Sequence, residues 1–418
     1  MMTTRERFKR VLIDKDPNVR TLKWEFGYWG QTINNWYQSG LPRVNPVKML
    51  EEAVTPTSGL YLPSWRCRNK YVQEGEYPAG FVHTGGALSW PTQGLGLDSD
   101  VKDYFHMDQT QRVIDVNLLF YPMFDVEVIS ETEDRMMYRD IDGVTKLFLK
   151  EPAVIPTPLE YPAVDWDSWN KVKEERVRLD NVRERLPKNW DELVEEYRNR
   201  DYPLGIGGLP FGNFGTLAHI MGYDNLFYAY YEDPELVHDI IGTFTDLWIA
   251  VLSEILKDVE LDYIEFWEDI SGNHGPMVSP ATMREFMLPY YKKITDFCKA
   301  RGVELFFVDT DGDCSSIIQV FCDSGINVMY PFEVHAGMDV LKVRREFPQL
   351  ACTGGIDKLG ISYGKEKIDE MLGHTREILK LGGYIPHGDH LIPPEVDFEN
   401  FCYYRTRLNE LIDEMGRE

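Results

Sequence analysis

From about residue 202 to the C-terminus the chain repeats one pattern: a short apolar run, a turn, then a longer stretch with apolar residues every three or four positions. The runs lie at 204–206, 263–267, 303–308, 328–330, 350–353 and 383–385, and the periodic stretches at 234–256, 280–300, 314–322, 339–346 and 365–381. Runs of that length read as buried strands, and the longer period reads as helix. Strand and helix in alternation with short connections imply a parallel sheet, because a parallel pair needs a crossover to join it. About six such units, with candidates for more upstream, predict an α/β fold closed into a single (β/α)8 TIM-type barrel rather than an open sheet. No GxGxxG or GxxxxGK[ST] follows any of the runs, which argues against a dinucleotide site or a P-loop.

The first half is less regular. Thr3 and Glu6 form a capping-box pattern that opens a helix to about Ile13, closed by Asp14 to Pro17. An aromatic cluster follows, Trp24, Phe26, Tyr28 and Trp29 around the single carboxylate Glu25, with Trp36 and Tyr37 soon after. It suits either core packing or a pocket for a flat, partly apolar ligand. Between about 124 and 150 the period falls to two, at 126–129, 135–138 and 145–149, with Asp142-Gly143 as a hairpin signal, so a small antiparallel meander is expected as an insertion. Residues 165–200 read as a polar, tryptophan-punctuated outer helical stretch. The expected organisation is one domain over 1–418, with 1–200 as an N-terminal part carrying a helical and aromatic extension and the meander, and 201–418 as regular βα units.

Chemistry concentrates where the late strands should end. Phe266-Trp267 runs into Glu268-Asp269, Phe307-Val308 into Asp309-Thr310-Asp311-Gly312-Asp313, Tyr330-Pro331-Phe332 into Glu333, Ile356 into Asp357-Lys358, and Ile385-Pro386 into His387-Gly388-Asp389-His390. In an α/β barrel the carboxyl ends of the strands converge on one mouth, where active sites lie. Acids after strands also cap helices, a role that suits Asp313 and Asp339 and could suffice for Asp357. Several carboxylates crowded together raise one another's pKa, so the collective pattern calls for a metal, a cationic partner or proton transfer.

Composition narrows the classes. In 418 residues, 44 Lys and Arg stand against 69 Asp and Glu, a formal net charge of −25, which excludes a nucleic-acid binder because phosphate recognition draws on a basic surface. The 43% hydrophobic content supports a large core. The absence of a long uninterrupted apolar stretch or an apolar leader gives the expectation of a soluble, cytoplasmic protein with no membrane partner. Cys67, Cys298, Cys314, Cys322, Cys352 and Cys402 show no CxxC spacing and read as reduced thiols, most of them buried. The run from Phe307 to Asp313 resembles a haloacid-dehalogenase nucleophile motif, but it lies far from the N-terminus and ends in Asp313 where that motif carries Thr or Ser. As an EF-hand loop it fails too, since Gly312 comes too early and Val320 stands where the bidentate Glu belongs.

With these residues in view the chain resembles the uroporphyrinogen decarboxylase superfamily. The resemblance rests on Thr4-Arg5-Glu6-Arg7-Phe8, Gly354-Gly355-Ile356-Asp357-Lys358, Gly383-Tyr384-Ile385, Ile392-Pro393-Pro394 and Phe398-Glu399-Asn400, in that order, and is best from about 203 to 411. It implies a one-domain α/β barrel. Haem-pathway decarboxylases carry an N-terminal Arg-Gln-Ala-Gly-Arg segment that holds a polycarboxylate; here that region has the Trp24 to Trp29 cluster, a poor cradle for such a substrate. The other branch comprises corrinoid-dependent methyltransferases and methoxy-aromatic demethylases. Where methylcobalamin:coenzyme M methyltransferases bind zinc through His-x-Cys and a later Cys, this chain has Asp309-Thr310-Asp311 and His390, so no thiolate ligand is retained.

The resemblance therefore implies methyl transfer from a small O- or N-methylated substrate to the corrinoid of a separate cobalamin-binding protein, with a decarboxylase of a smaller acid as the alternative and a non-enzymatic binding barrel as a third reading. Asp311, His390, Glu268 and Glu333 are the expected catalytic residues. Glu25, Tyr28, Trp29, Trp267 and Asp357 are the expected substrate contacts. Zinc or another divalent metal on Asp311, His390 and Glu333 is the expected cofactor, and a homodimer is the expected assembly.

Overall fold

The computed structural model describes residues 2–45, 82–84, 98–150, 156–208 and 210–416. Seven parallel strands form one curled sheet, Arg112–Val113, Leu204–Gly207, Tyr263–Trp267, Leu305–Thr310, Val328–Pro331, Ala351–Thr353 and Tyr384–Ile385, each hydrogen-bonded to its neighbour in chain order. That order is what repeated right-handed crossovers produce. The six late strands fall on the predicted runs. The eighth strand expected of a closed barrel is not among the described strands of this sheet. The chain from Thr21 to Trp29 runs along its open seam: the Thr21 hydroxyl donates to the Tyr384 carbonyl (2.7 Å), Ile392 N–H to Gly27 O (2.9 Å), and Asp108 N–H to Lys23 O (3.2 Å).

Alternation along the strands divides the core in two. Tyr263, Leu305, Phe307, Val328, Tyr330, Ala351 and Ile385 pack inside the curl with Phe8, Val11, Leu12, Trp24 and Phe26. Their neighbours Ile264, Phe266, Phe306, Val308, Met329 and Cys352 face outward against the helices, the period-two rule of a strand. Glu265, Trp267 and Asp309 keep the register of the inward set. The N-terminal helix Thr4–Lys9, with the Thr3–Glu6 capping box in place, continues through Asp14 and plugs the amino ends of the strands. Arg5 fixes it there by pairing with Asp262 (2.8 Å), one residue before the third strand. The opposite end, where the strands finish, is left for chemistry.

Most other elements follow the pattern. The long helix Pro234–Asp258 is apolar enough to cross a membrane, but more than half of its apolar window is buried in the core. The single helix expected over 280–300 is two, Pro280–Phe286 and Leu288–Lys299, because Pro289 supplies no N–H to the preceding turn. The meander gains a fourth strand, Thr157–Glu160, fully exposed and without the alternation that would have marked it. In the 165–200 region the helices Trp166–Arg176 and Trp190–Arg198 keep polar faces outward while Trp169 and Trp190 are buried and donate their indole N–H groups to Asp239 and Asp258. Cys298, Cys314 and Cys352 are buried free thiols, Cys322 and Cys402 are partly exposed, and Cys67 lies outside the described residues.

Candidate functional site

The carboxyl ends of the strands bring together side chains from five loops. Trp267, Asp309 and Tyr330 lie side by side in register on three adjacent strands. Beyond them the loops carry Asp269, Asp311, Glu333, Lys358, Asp389 and His390. His390 Nε2 stands 3.4 Å from Asp311 Oδ2, with both side chains about a third exposed. Phe26 stacks on the His390 ring at 4.8 Å between centroids, so the seam segment supports the histidine from behind. Gly312 turns the chain between Asp311 and Asp313 at φ +73°, and a Cβ there would sit 2.6 Å from the Ser271 and Gly272 carbonyls. Only glycine permits that approach.

Electrostatics set this mouth apart from the surface. Burial and the Asp311, Glu333 and Glu268 charges push Asp269 up to about 7 against the pull of His390. Asp309 is raised well above the ordinary carboxylate range by burial and by Asp311, Asp269, Glu265 and Glu333. Beneath them Glu265, 1% exposed, is pushed to about 8 by burial, with the Tyr330 hydroxyl pulling the other way and Gln111 Nε2 at 3.4 Å. These carboxyls cannot all ionise together, so the mouth holds protons near neutrality. Asp269 and Phe332 also adopt left-handed backbone, φ +39° and +62°, at two of the strand-end loops, the sort of strain that clusters at functional sites.

Several expected site residues have other work. Glu268 is fully buried and accepts the backbone N–H groups of Asn213 (2.8 Å), Phe214 (2.7 Å) and Gly215 (3.0 Å) as well as the Tyr291 hydroxyl. It anchors the start of the helix Asn213–Met221 and has no free oxygen for substrate, which corrects its assignment as catalytic. The anchor requires Gly215, whose Cβ would otherwise lie 2.2 Å from the Trp267 carbonyl. Glu25 is also fully buried; it binds Gly388 N–H (2.6 Å) and the Tyr404 hydroxyl (3.2 Å) and lies 3.5 Å from Arg405, tying the seam segment to the last helix. Tyr28 is buried against Trp36 and Phe401 at 5.5 and 5.8 Å and presents no face to a ligand. Asp357 caps its own turn, accepting Leu359 N–H at 2.9 Å and facing the exposed His335 at 3.2 Å. Trp29 and Trp267 remain partly exposed and available.

The metal set does not assemble either. Glu333 is engaged by the Lys358 ammonium (2.8 Å) and Gly312 N–H (3.1 Å), and no group of three His, Cys, Asp or Glu gathers as ligands among the described residues. Asp311 and His390 alone are too few donors for zinc. Asp269, Asp309, Lys358 and Asp389 stand in the strand-end runs of the sequence, though none is given a role there; Glu265 and Phe26 carry no such signal.

A curled parallel α/β sheet with an ionisable cluster at its carboxyl end is the architecture of a barrel enzyme. Residues 150–409 match the uroporphyrinogen decarboxylase (URO-D) family, and the chain belongs to it. It is 24% identical over 244 residues to a uroporphyrinogen decarboxylase of Chlorobium limicola, covering 55% of this chain and 67% of that one. It is 26% identical over 218 residues to that of Pelodictyon phaeoclathratiforme, covering 49% and 58%. The matches span between about half and three quarters of the length of the curated relatives. Its fold is similar to that of a methyltransferase from Methanosarcina mazei, with a TM-score of 0.50 at 13% identity and coverage of 98% and 99%.

Proposed function

We propose that the protein transfers a methyl group from an oxygen or nitrogen of a small substrate, methoxy-aromatic compounds included, to the cobalt of a corrinoid held by a separate protein. The observation that carries the reading is the group of proton-holding carboxyls, Asp269 and Asp309, beside the Asp311–His390 pair. An ether oxygen is a poor leaving group until it is protonated, and an acid with its pKa near neutrality supplies that proton best. A reduced corrinoid on its own protein would supply the electron pair that takes up the methyl group, leaving the C–O pair on oxygen. Oxygen takes a proton from Asp269 or Asp309, whose carboxyls burial and the Asp311 charge hold above the usual range, while Asp311 faces His390 across the same mouth. The partly exposed Trp29 and Trp267 supply apolar faces for the substrate ring. Acid-rich walls favour a neutral or cationic methyl donor over a polycarboxylate.

Decarboxylation of a smaller acid is the second reading, favoured by the family match. There the same carboxyls would protonate the carbon that loses carbon dioxide. One assay separates the two: the protein with a reduced corrinoid protein and a panel of methoxylated and N-methylated compounds. Methylation of cobalt, seen in its absorption spectrum, supports methyl transfer. An unchanged spectrum throughout, with carbon dioxide released from a small carboxylic acid, rejects it. We also infer that the Thr21 to Trp29 segment fills the eighth position of the barrel.

A further inference from the structure

One buried carboxylate at the mouth ties separate loops together. Asp389 is fully buried, and each of its oxygens accepts a backbone N–H from a different loop: Oδ2 from Val334 at 2.8 Å and Oδ1 from Lys358 at 2.9 Å. Its own backbone is fixed as well, with Asp389 N–H on Ile356 O at 2.7 Å and Ile356 N–H on His387 O at 3.1 Å. The two N–H groups belong to the residue after Glu333 and to Lys358 itself, whose side chains pair at 2.8 Å. The second Glu333 oxygen accepts Gly312 N–H at 3.1 Å, one residue after Asp311. Asp311 faces His390, the residue after Asp389. The contacts therefore close a ring through four strand-end loops; every link but the 3.4 Å approach of His390 to Asp311 is a hydrogen bond or ion pair to a carboxylate, the stronger class of such contacts.

We infer that Asp389 is a positioning residue: through the Val334 and Lys358 amides it sets the Glu333–Lys358 pair, and through Glu333 it sets the Gly312 turn that presents Asp311 to His390. The inference rests on the methyl-transfer reading for what is positioned, but the ring itself does not depend on that reading. Neither the Glu333 carboxylate nor the Lys358 ammonium has to meet substrate; their role is to hold the loop that carries the acid. Both Glu333 oxygens are links in the ring, engaged by Gly312 N–H and the Lys358 ammonium.

The test is hydrogen exchange by mass spectrometry on the full chain, read in peptides that contain Gly312, Val334 and Lys358. Asp389→Asn replaces one acceptor by an N–H2 group facing a backbone N–H, so one link is lost and a donor–donor contact appears. Exchange is expected to quicken about tenfold or more at Val334 and Lys358, as for loss of a bond to a charged group, and to quicken also at Gly312, which Asp389 does not touch. Glu333→Gln serves if that variant fails to fold; it is expected to quicken exchange at the Val334 and Lys358 amides, neither of which the Glu333 carboxylate bonds. Changes confined to the amides that each mutated side chain bonds directly would overturn the inference. With a substrate in hand, Asp389→Asn should lower kcat and leave KM within about twofold, the pattern of lost transition-state placement; a raised KM at unchanged kcat would contradict it. Should the wild-type protein methylate no corrinoid with any donor, the proposed function fails while the exchange result still decides the ring.

Discussion

Asp269→Asn should make the protein more stable at pH 8 than at pH 4, relative to the wild type at each pH. Asp269 rises from 3.8 to about 7 in the fold, through burial first and the neighbouring Asp311 charge second. The sign follows from linkage: because the folded pKa lies above the unfolded one, the folded state keeps a proton that the unfolded chain has released. Stability contributed by this group is whole below the unfolded value, declines as pH climbs, and is lost once pH passes the folded value. A rise of that size corresponds to ~4 kcal/mol. The side chain reaches the open mouth and is partly screened, so ~2 kcal/mol is the better expectation. Asparagine is neutral at every pH, nearly isosteric, and tolerant of the left-handed backbone that residue 269 adopts at φ +39°. The variant should therefore match the wild type at pH 4 and melt roughly 2–4 °C higher at pH 8. Thermal unfolding followed by circular dichroism across that range is sufficient. A variant less stable at both ends, or a gain that does not change with pH, would refute the idea that the mouth stores unfavourable carboxylate charge.

Other outcomes follow from the same contacts. Asp311→Asn and His390→Ala should each reduce single-turnover methyl transfer at least about 100-fold, the usual weight of acid catalysis, because the Asp311 charge helps keep the proton on Asp269 and Asp309 and His390 faces it, with unchanged circular dichroism; retention of the rate would remove the pair from the mechanism. Glu268→Gln should destabilise by about 3 kcal/mol, because an amide N–H2 would face the N–H donors at the start of the Asn213–Met221 helix, and a neutral effect on melting would show that the carboxylate is no anchor. Glu25→Ala leaves Arg405 without its buried carboxylate partner, so a loss of ~3–5 kcal/mol is expected. If it instead melts like the wild type and only weakens substrate binding, Glu25 belongs to the pocket after all.

The fold was legible where burial is two-sided. The six late strands are short apolar runs because each has the inner core on one face and helices on the other, and nothing polar fits until the strand ends. Arg112–Val113 is two residues long and carries no period. The Thr21 to Trp29 segment was read as an aromatic cluster because it contacts both cores, Trp24 and Phe26 inside and Tyr28 outside. In the site, the convergence of acids was visible along the chain, but their division of labour was not. Glu268 and Glu25 look like Asp269 and Asp311 in sequence; what separates them is which backbone N–H groups from distant segments point at them. Glu268 meets three such donors some 50 residues upstream, and no local pattern encodes that meeting.

The central claim is that this acid-lined mouth protonates a leaving group as its methyl passes to cobalt. A single turnover with a carbon-13 methyl-labelled methoxy-aromatic donor and a reduced corrinoid protein tests it most directly, run with the wild type and with Asp311→Asn. Label on cobalt, one demethylated product per methyl moved, and a rate that collapses in the variant are expected. Label that stays on the donor while carbon dioxide is released from a carboxylate substrate, or equal rates for the two proteins, would contradict it.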